Sequence, residues 1–98
     1  MPFAVEFSKR AQENMTALRK RDQQVIYNAI AVQLVNQPDQ PTRNRKKLED
    51  NPLSPWELRV GDFRVFYDVN TESQRVAVVA VGKKEHNILR IGGEEIQL

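Results

Sequence analysis

The 98-residue chain is long enough to form one domain with its own hydrophobic core, and we expect a single domain over residues 1–98. Its 40% hydrophobic and 29% charged residues are typical of a globular protein and argue against intrinsic disorder. The formal net charge of +2 is too small to predict nucleic-acid binding, so such binding would depend on where the basic residues lie.

The chain contains no cysteine and one histidine, which excludes a disulfide framework and argues against a zinc site. We therefore predict neither a metal nor another cofactor. The longest apolar run, residues 76–81, is too short to span a membrane, and the N-terminus lacks the basic start of a signal peptide. These features predict a soluble, cytoplasmic protein that does not act at a membrane.

The first third of the chain is predicted to form a strand and two helices. Apolar residues alternate between Phe3 and Phe7, as in a strand. Ser8 is a suitable helix N-cap, and Asp22 offers a second N-cap for an amphipathic helix that ends before Pro38. Two helices joined near Asp22 would form a helical hairpin that covers one face of a sheet.

Residues 37–55 form a long connection that holds four of the five prolines. Loops of this length inside a compact domain are often functional. This one also contains the densest group of basic residues in the chain, four within five positions: Arg43, Arg45, Lys46 and Lys47. Such a group is suited to phosphate contacts, although basic runs are more often solvated surface.

Residues 56–69 read as a tight β-hairpin, because W-E-L-R-V and F-R-V-F-Y-D-V flank the turn residues Gly61-Asp62. Gly61 suits the first central position of a type II′ turn. Counting outward from the turn pairs Arg59 with Arg64 and Trp56 with Tyr67. One face of this hairpin is apolar and is predicted to join the core: Trp56, Leu58, Val60, Phe63, Val65, Tyr67 and Val69.

The other face of the hairpin carries Glu57, Arg59, Arg64, Phe66 and Asp68. Two arginines directly opposite each other destabilise a sheet unless an anion or a carboxylate lies between them. Arginine binds phosphate bidentately and stays charged, so the pair is a candidate anion site. The alternative is a solvated surface ladder in which the two carboxylates neutralise the arginines.

Residues 76–81 are apolar on both faces and predict a central strand. The tail after Gly82 is compatible with a short helix or an extra strand, and the sequence does not choose between them. The element order β-α-α-β-β-β predicts an α+β fold, with a helical hairpin packed on a mostly antiparallel sheet.

These residues resemble the RelE/ParE superfamily of bacterial toxins from type II toxin–antitoxin systems. The resemblance lies in W-E-L-R-V-G-D-F-R-V-F-Y-D-V and in the later V-A-V-V-A-V-G-K-K-E-H-N. Members show an aromatic residue, alternating basic and apolar residues, a Gly-led turn, and a later strand ending in Val-Gly and bases. Chain length and element order also match, so the resemblance covers nearly the whole chain.

The resemblance favours the RelE branch, which cleaves mRNA in the ribosomal A site. It implies attack of the ribose 2′-OH on the adjacent phosphate, without a metal. In that branch Arg64 matches an arginine that stabilises the transition state. Arg59 matches a basic residue on the preceding strand, and Lys84 matches a base just after the Val-Gly.

The sequence departs from the family pattern at two positions. Glu57 stands where many ribonuclease members have a lysine that assists proton transfer, and it would either act as base, as in some relatives, or indicate lost activity. Arg90 stands where many members have a catalytic tyrosine. His86 is a candidate acid because its ordinary pKa suits proton transfer and some relatives use histidine here; the alternative is a merely solvent-exposed side chain.

The candidate catalytic residues are therefore Arg64, Arg59, Lys84, Glu57, His86 and Arg90. The candidate RNA-binding residues are Arg43, Arg45, Lys46, Lys47 and Lys83.

The resemblance implies a cognate antitoxin as partner, in a hetero-oligomer, and the ribosome and mRNA as targets. Two alternative functions stay open: a ParE-like inhibitor of DNA gyrase, and an inactive relative that only binds its antitoxin. The arginine pair and the basic loop favour the ribonuclease, whereas Glu57 and the missing tyrosine weaken it. Fold alone does not decide among these functions.

Overall fold

The computed structural model describes residues 2–51 and 53–96. It has an α+β fold in which two helices pack on a mostly antiparallel sheet, as predicted. The elements in chain order are β1 (Ala4–Phe7), α1 (Lys9–Thr16), α2 (Lys20–Gln33), β2 (Arg45–Lys47), β3 (Trp56–Val60), β4 (Phe63–Asn70), β5 (Arg75–Glu85), β6 (Ile88–Ile91) and β7 (Glu94–Ile96).

The sheet runs in the order β2-β3-β4-β5-β6-β7 with antiparallel neighbours, and β1 pairs in parallel with β5. The predicted hairpin register is confirmed, with Trp56 opposite Tyr67 and Arg59 opposite Arg64. Gly61 has φ 59°, as the first central position of a type II′ turn requires. The predicted central strand is also confirmed, since β5 pairs with β1, β4 and β6.

The first helix begins as predicted, because the Ser8 side-chain oxygen accepts a hydrogen bond from the Ala11 N–H at 3.0 Å. The second helix is also present and ends before Pro38 as predicted, but its predicted N-cap, Asp22, is wrong. That helix begins at Lys20, and its N-cap position is Arg19, which makes no side-chain capping bond. Asp22 lies inside the first turn, where a carboxylate interacts favourably with the helix dipole.

The sheet separates two hydrophobic clusters. The larger one lies between the sheet and the helices, on what we call the helix face: Ala11, Met15, Ile26, Ile30, Leu34, Trp56, Leu58, Val65, Tyr67, Val76, Val78 and Val81. All seven apolar residues predicted from the hairpin belong to this cluster or pack against it. The opposite side, here the site face, has a smaller cluster: Phe66, Ala80, Leu89 and Ile91, with Leu48, Leu53, Val79 and Ile96 against them.

Helix α1 fills a gap along one edge of β5. On that edge β1 pairs with residues 75–78 and β6 with residues 83–85, which leaves backbone groups between them unpaired by any strand. The Ser8 hydroxyl donates to the carbonyl oxygen of Val79 at 2.9 Å, and Asn14 Oδ1 accepts from the N–H of Val81 at 3.0 Å. Both contacts tie α1 to the central strand.

The long connection is held in place by buried hydrogen bonds. The Arg45 guanidinium donates to the carbonyl oxygens of Gln33 and Gln40 at 2.8 and 2.9 Å. The Tyr67 hydroxyl donates to the carbonyl oxygen of Pro38 at 2.8 Å. After Gly82 the chain continues β5 to Glu85 and forms β6 and β7, so up to Ile96 the tail adopts the extended one of the two conformations considered. Its last two residues lie outside the described range. Within the described ranges, none of the helices is long and apolar enough to cross a membrane.

Candidate functional site

The strand register assembles basic and acidic side chains in rows on the site face. Lys46, Glu57 and Phe66 lie opposite one another on β2, β3 and β4. The next row contains Arg59, Arg64 and Gly82. Because neighbouring strands are about 4.8 Å apart, each row forms a continuous surface. A third row contains Lys84, Leu89 and Ile96 on β5, β6 and β7.

Glu57 is the centre of this arrangement. It is buried, and its two carboxylate oxygens lie 3.8 Å from Arg59 Nε and 3.9 Å from Arg64 Nε. These distances exceed those of hydrogen bonds, so the carboxylate balances both cations without occupying their donors. Of the two carboxylates expected to neutralise the pair, Glu57 lies beside it, whereas Asp68 accepts from the Val69 N–H.

Arg64 is held more firmly than a surface arginine. Its side chain is 14% exposed, and Nη1 donates to the carbonyl oxygens of Gly61 and Phe63 at 2.7 and 2.9 Å. These bonds fold the guanidinium back over the hairpin turn and fix its position next to Glu57. A cation fixed in this way meets a bound anion with little loss of side-chain entropy.

Because Gly82 has no side chain, β6 can lie close beside β5 at this point of the sheet. An ideal Cβ on Gly82 would lie 2.6 Å from the Arg90 carbonyl oxygen and 2.7 Å from Ile91 Cγ1. The apolar side chains of Leu89 and Ile91 therefore lie directly beside the Arg64 row.

A pocket of about 280 Å³ opens between this apolar surface and the charged rows. Its lining residues are Glu57, Lys84, Asn87, Ile88, Leu89, Glu95 and Ile96. The pocket thus joins two of the candidate catalytic residues, Glu57 and Lys84, to an aliphatic floor. The lining residues that were not predicted from the sequence include Asn87, Leu89 and Ile96. Asn87 before I-L-R-I nevertheless matches a turn residue between two strands.

Three of the candidate residues do not lie next to Arg64 in the structure: His86, Arg90 and Lys83. His86 is exposed at the β5–β6 turn, four residues beyond Gly82, which is about 13 Å along the strand. Arg90 pairs with Lys83, and both extend from the helix face, because Leu89 and Ile91 on either side of Arg90 belong to the site-face cluster. Lys83 Nζ lies 5.7 Å from the Phe63 ring centroid and 3.7 Å from Glu85.

The basic segment is also divided between the two faces. The buried Arg45 side chain and Lys47, which pairs with Trp56, lie on the helix face. Lys46 pairs with Glu57 and lies on the site face, and the exposed Arg43 precedes β2. In the described part of the chain, no three His, Cys, Asp or Glu side chains group closely enough to hold a metal ion.

Comparisons with known proteins identify the family. The model of the family described as the ParE toxin of the type II toxin–antitoxin system, parDE, matches residues 5–88. A search of curated proteins finds no match.

Two solved structures resemble the fold. One chain of the toxin–antitoxin complex RelBE2 from Mycobacterium tuberculosis has a TM-score of 0.71 at 22% identity, with 86% of this chain and 100% of that chain covered. One chain of the archaeal RelE–RelB complex from Pyrococcus horikoshii OT3 has a TM-score of 0.66 at 22% identity, with 83% of this chain and 93% of that chain covered. At these identities the likeness supports the fold alone. The family match spans most of the chain, and the protein therefore belongs to the ParE toxin family of type II toxin–antitoxin systems.

Proposed function

We propose that this toxin is an endoribonuclease that cleaves mRNA on the ribosome, with Glu57, Arg59, Arg64 and Lys84 as its reacting groups. One observation carries the proposal. A buried carboxylate lies between two arginines at 3.8 and 3.9 Å and shares a pocket with a lysine. Cleavage of RNA by its own 2′-OH needs a base, cations for the charge that develops on phosphorus, and an acid.

Each residue has a role in the proposed reaction. Glu57 accepts the proton of the 2′-OH, whose oxygen then attacks the adjacent phosphorus. The P–O5′ bond breaks, leaving a 2′,3′-cyclic phosphate on one fragment. Arg59 and Arg64 stabilise the negative charge on the phosphoryl oxygens, and the Lys84 ammonium donates a proton to the leaving 5′-oxygen. Arg90 extends from the opposite face and His86 does not line the pocket, so neither has a part in the proposed chemistry.

A ParE-like inhibitor of DNA gyrase is the second candidate. The description of the matching family favours it, because that description names the ParE toxin. In this alternative Glu57 serves only to neutralise the arginine pair, and the toxin binds a protein without cleaving RNA. An inactive relative that only binds an antitoxin would have the same geometry.

We also propose that the cognate antitoxin lays an acidic segment across the site face and forms a hetero-oligomer with the toxin. Its carboxylates would neutralise Arg59, Arg64 and Lys84 and would occupy the space that a phosphate needs, so phosphate binding would be blocked. A ribosomal target would place the active toxin in the cytoplasm.

The first prediction concerns Arg64→Ala. We expect the wild type to cut mRNA inside codons and Arg64→Ala to lower the cleavage rate by about 10²–10³-fold, because a fixed cation at the phosphoryl group is lost. Primer extension on a reporter mRNA in a translating extract measures this. Arg10→Ala is the matched control, since it removes the same charge from an exposed position on α1.

Three other outcomes would separate the alternatives. An uncut message with translation still blocked would contradict the ribonuclease and indicate a ribosome-binding protein. Unaffected translation combined with inhibition of gyrase supercoiling would support the ParE-like alternative. Equal cleavage by the wild type and Arg64→Ala would remove Arg64 from the site.

A further inference from the structure

The pocket beside Glu57 has an aliphatic floor and a polar rim. Leu89 is buried in the site-face cluster, and Ile96 packs against the same cluster, so the floor is aliphatic. Polar groups form the rim: Glu57, Lys84, Asn87 and Glu95. Polar atoms provide most of the exposed lining, and about 280 Å³ is close to the lower limit of the size of ligand sites, so the pocket suits a small ligand with a hydrogen-bonding edge.

The position of the pocket relative to the arginine pair restricts what it can bind. Glu57 lines the pocket, and the same carboxylate lies 3.9 Å from Arg64 Nε. A phosphate held by Arg64 would therefore have its own nucleoside at the mouth of the pocket. RNA-binding proteins commonly splay out single-stranded bases and hydrogen-bond their edges.

We propose that this pocket binds one nucleobase next to the scissile phosphate, and that Asn87 determines which base is preferred. The inference rests on the proposed ribonuclease function and deepens it. The base lies on Leu89 and Ile96, and its polar edge meets the Asn87 amide. Asparagine offers one donor and one acceptor side by side, a pattern that matches N7 and the N6 amino group of adenine. Among the four bases, only adenine offers an adjacent acceptor and donor on its Hoogsteen edge, so a pocket that reads this edge prefers adenine.

The backbone holds Asn87 at the rim. Glu85 pairs with Ile88, so His86 and Asn87 are the two loop residues of the β5–β6 hairpin. Their φ values are 51° and 66°, which is the type I′ geometry that asparagine tolerates well. This tight turn presents the amide from a short, rigid connection, which suits recognition of a base edge.

The test is the distribution of bases at the cut sites, read by primer extension over a long message in a translating extract. We expect the wild type to favour adenine at one position next to the cut by at least about fivefold. Asn87→Asp replaces the amide donor by an acceptor, so the preference should move toward cytosine, whose N4 amino group a carboxylate binds. Asn87→Gly should keep the turn and lose the preference.

The matched control is Gln74→Gly. Gln74 also has a positive φ, 54°, and lies in the β4–β5 turn, outside the lining of the pocket. The Gln74→Gly variant should keep the wild-type distribution of bases at the cut sites.

Two outcomes would overturn the inference while the ribonuclease function stands. In one, both Asn87 variants keep the wild-type distribution of bases at the cut sites, even if all cuts become slower to the same extent. The other is a wild type with no base preference. A wild type that cuts no message would overturn both this inference and the proposed function.

Discussion

Two adjacent lysines on β2 have the same charge and lie on opposite faces of the sheet. Lys46 is paired with Glu57 on the site face, whereas Lys47 is paired with Trp56 on the helix face. Under the proposed ribonuclease function, phosphate contacts need a cation within reach, so we expect Lys46→Gln to lower the cleavage rate at subsaturating toxin by about fivefold. Lys47→Gln should change this rate by less than about twofold.

The comparison of Lys46→Gln and Lys47→Gln tests whether register or total charge determines RNA contact. Equal losses would mean that the basic segment acts as a diffuse patch. Lys46→Arg should restore most of the activity, since it keeps the charge in the same place.

Residue-level prediction was accurate where a local rule decides. Ser8 caps α1 because its hydroxyl oxygen accepts from the N–H three residues ahead. Asp22 satisfied the same sequence rule and is not a cap, because the tight connection after α1 already starts the second helix at Lys20.

At the scale of elements, Gly82 determines how closely β6 approaches β5. We expect Gly82→Ala to destabilise the protein by about 2–3 kcal/mol, because the new Cβ overlaps the backbone of Arg90. Urea denaturation measures the change in the free energy of unfolding.

Gly61→Ala serves as the comparison for Gly82→Ala. A Cβ on Gly61 meets nothing within 4 Å, but φ is 59°, so about 1–2 kcal/mol of backbone strain is expected in place of steric overlap. If both variants lower the free energy of unfolding equally, β6 can shift to accommodate the methyl group of Gly82→Ala. The close approach of β6 to β5 would then not constrain this position.

The whole molecule couples its folding to the ionisation of one tyrosine. Burial raises the pKa of Tyr67 well above its ordinary value of 10.0, with the Asp39 carboxylate adding to the rise and Arg45 opposing it. The unfolded chain releases this proton as the pH passes 10, whereas the folded protein retains it. The unfolded state then binds fewer protons, and the free energy of unfolding decreases as the pH rises above 10.

We expect Tyr67→Phe to remove that part of the alkaline destabilisation. At neutral pH it should lose about 1 kcal/mol, because the Pro38 carbonyl oxygen loses its buried donor. Urea denaturation at pH 8 and at about pH 11 gives both quantities. Tyr27→Phe, at a half-exposed position, is the control and should follow the wild type. If the free energy of unfolding of Tyr67→Phe decreases with rising pH as much as that of the wild type, other groups cause the alkaline destabilisation.

The amino-acid sequence by itself determined the hairpin register, the apolar face, the central strand and the α+β class. The register and the apolar face depend on the period of two in a strand and on turn chemistry. The central strand depends on a local apolar run, and the fold class depends on the order of the elements. The sequence also brought Glu57, Arg59 and Arg64 together, because a two-residue turn leaves only one register for their strands.

Only the tertiary structure decided which of the remaining basic residues share the site. Lys46 lies opposite Glu57, while Lys83 and Arg90 extend from the other face. His86 is exposed at the β5–β6 turn and does not line the pocket. The pocket next to Glu57 likewise forms from β5, β6 and β7. The physical reason is that these positions depend on pairings between strands distant in the chain, where a shift of one residue moves a side chain to the other face.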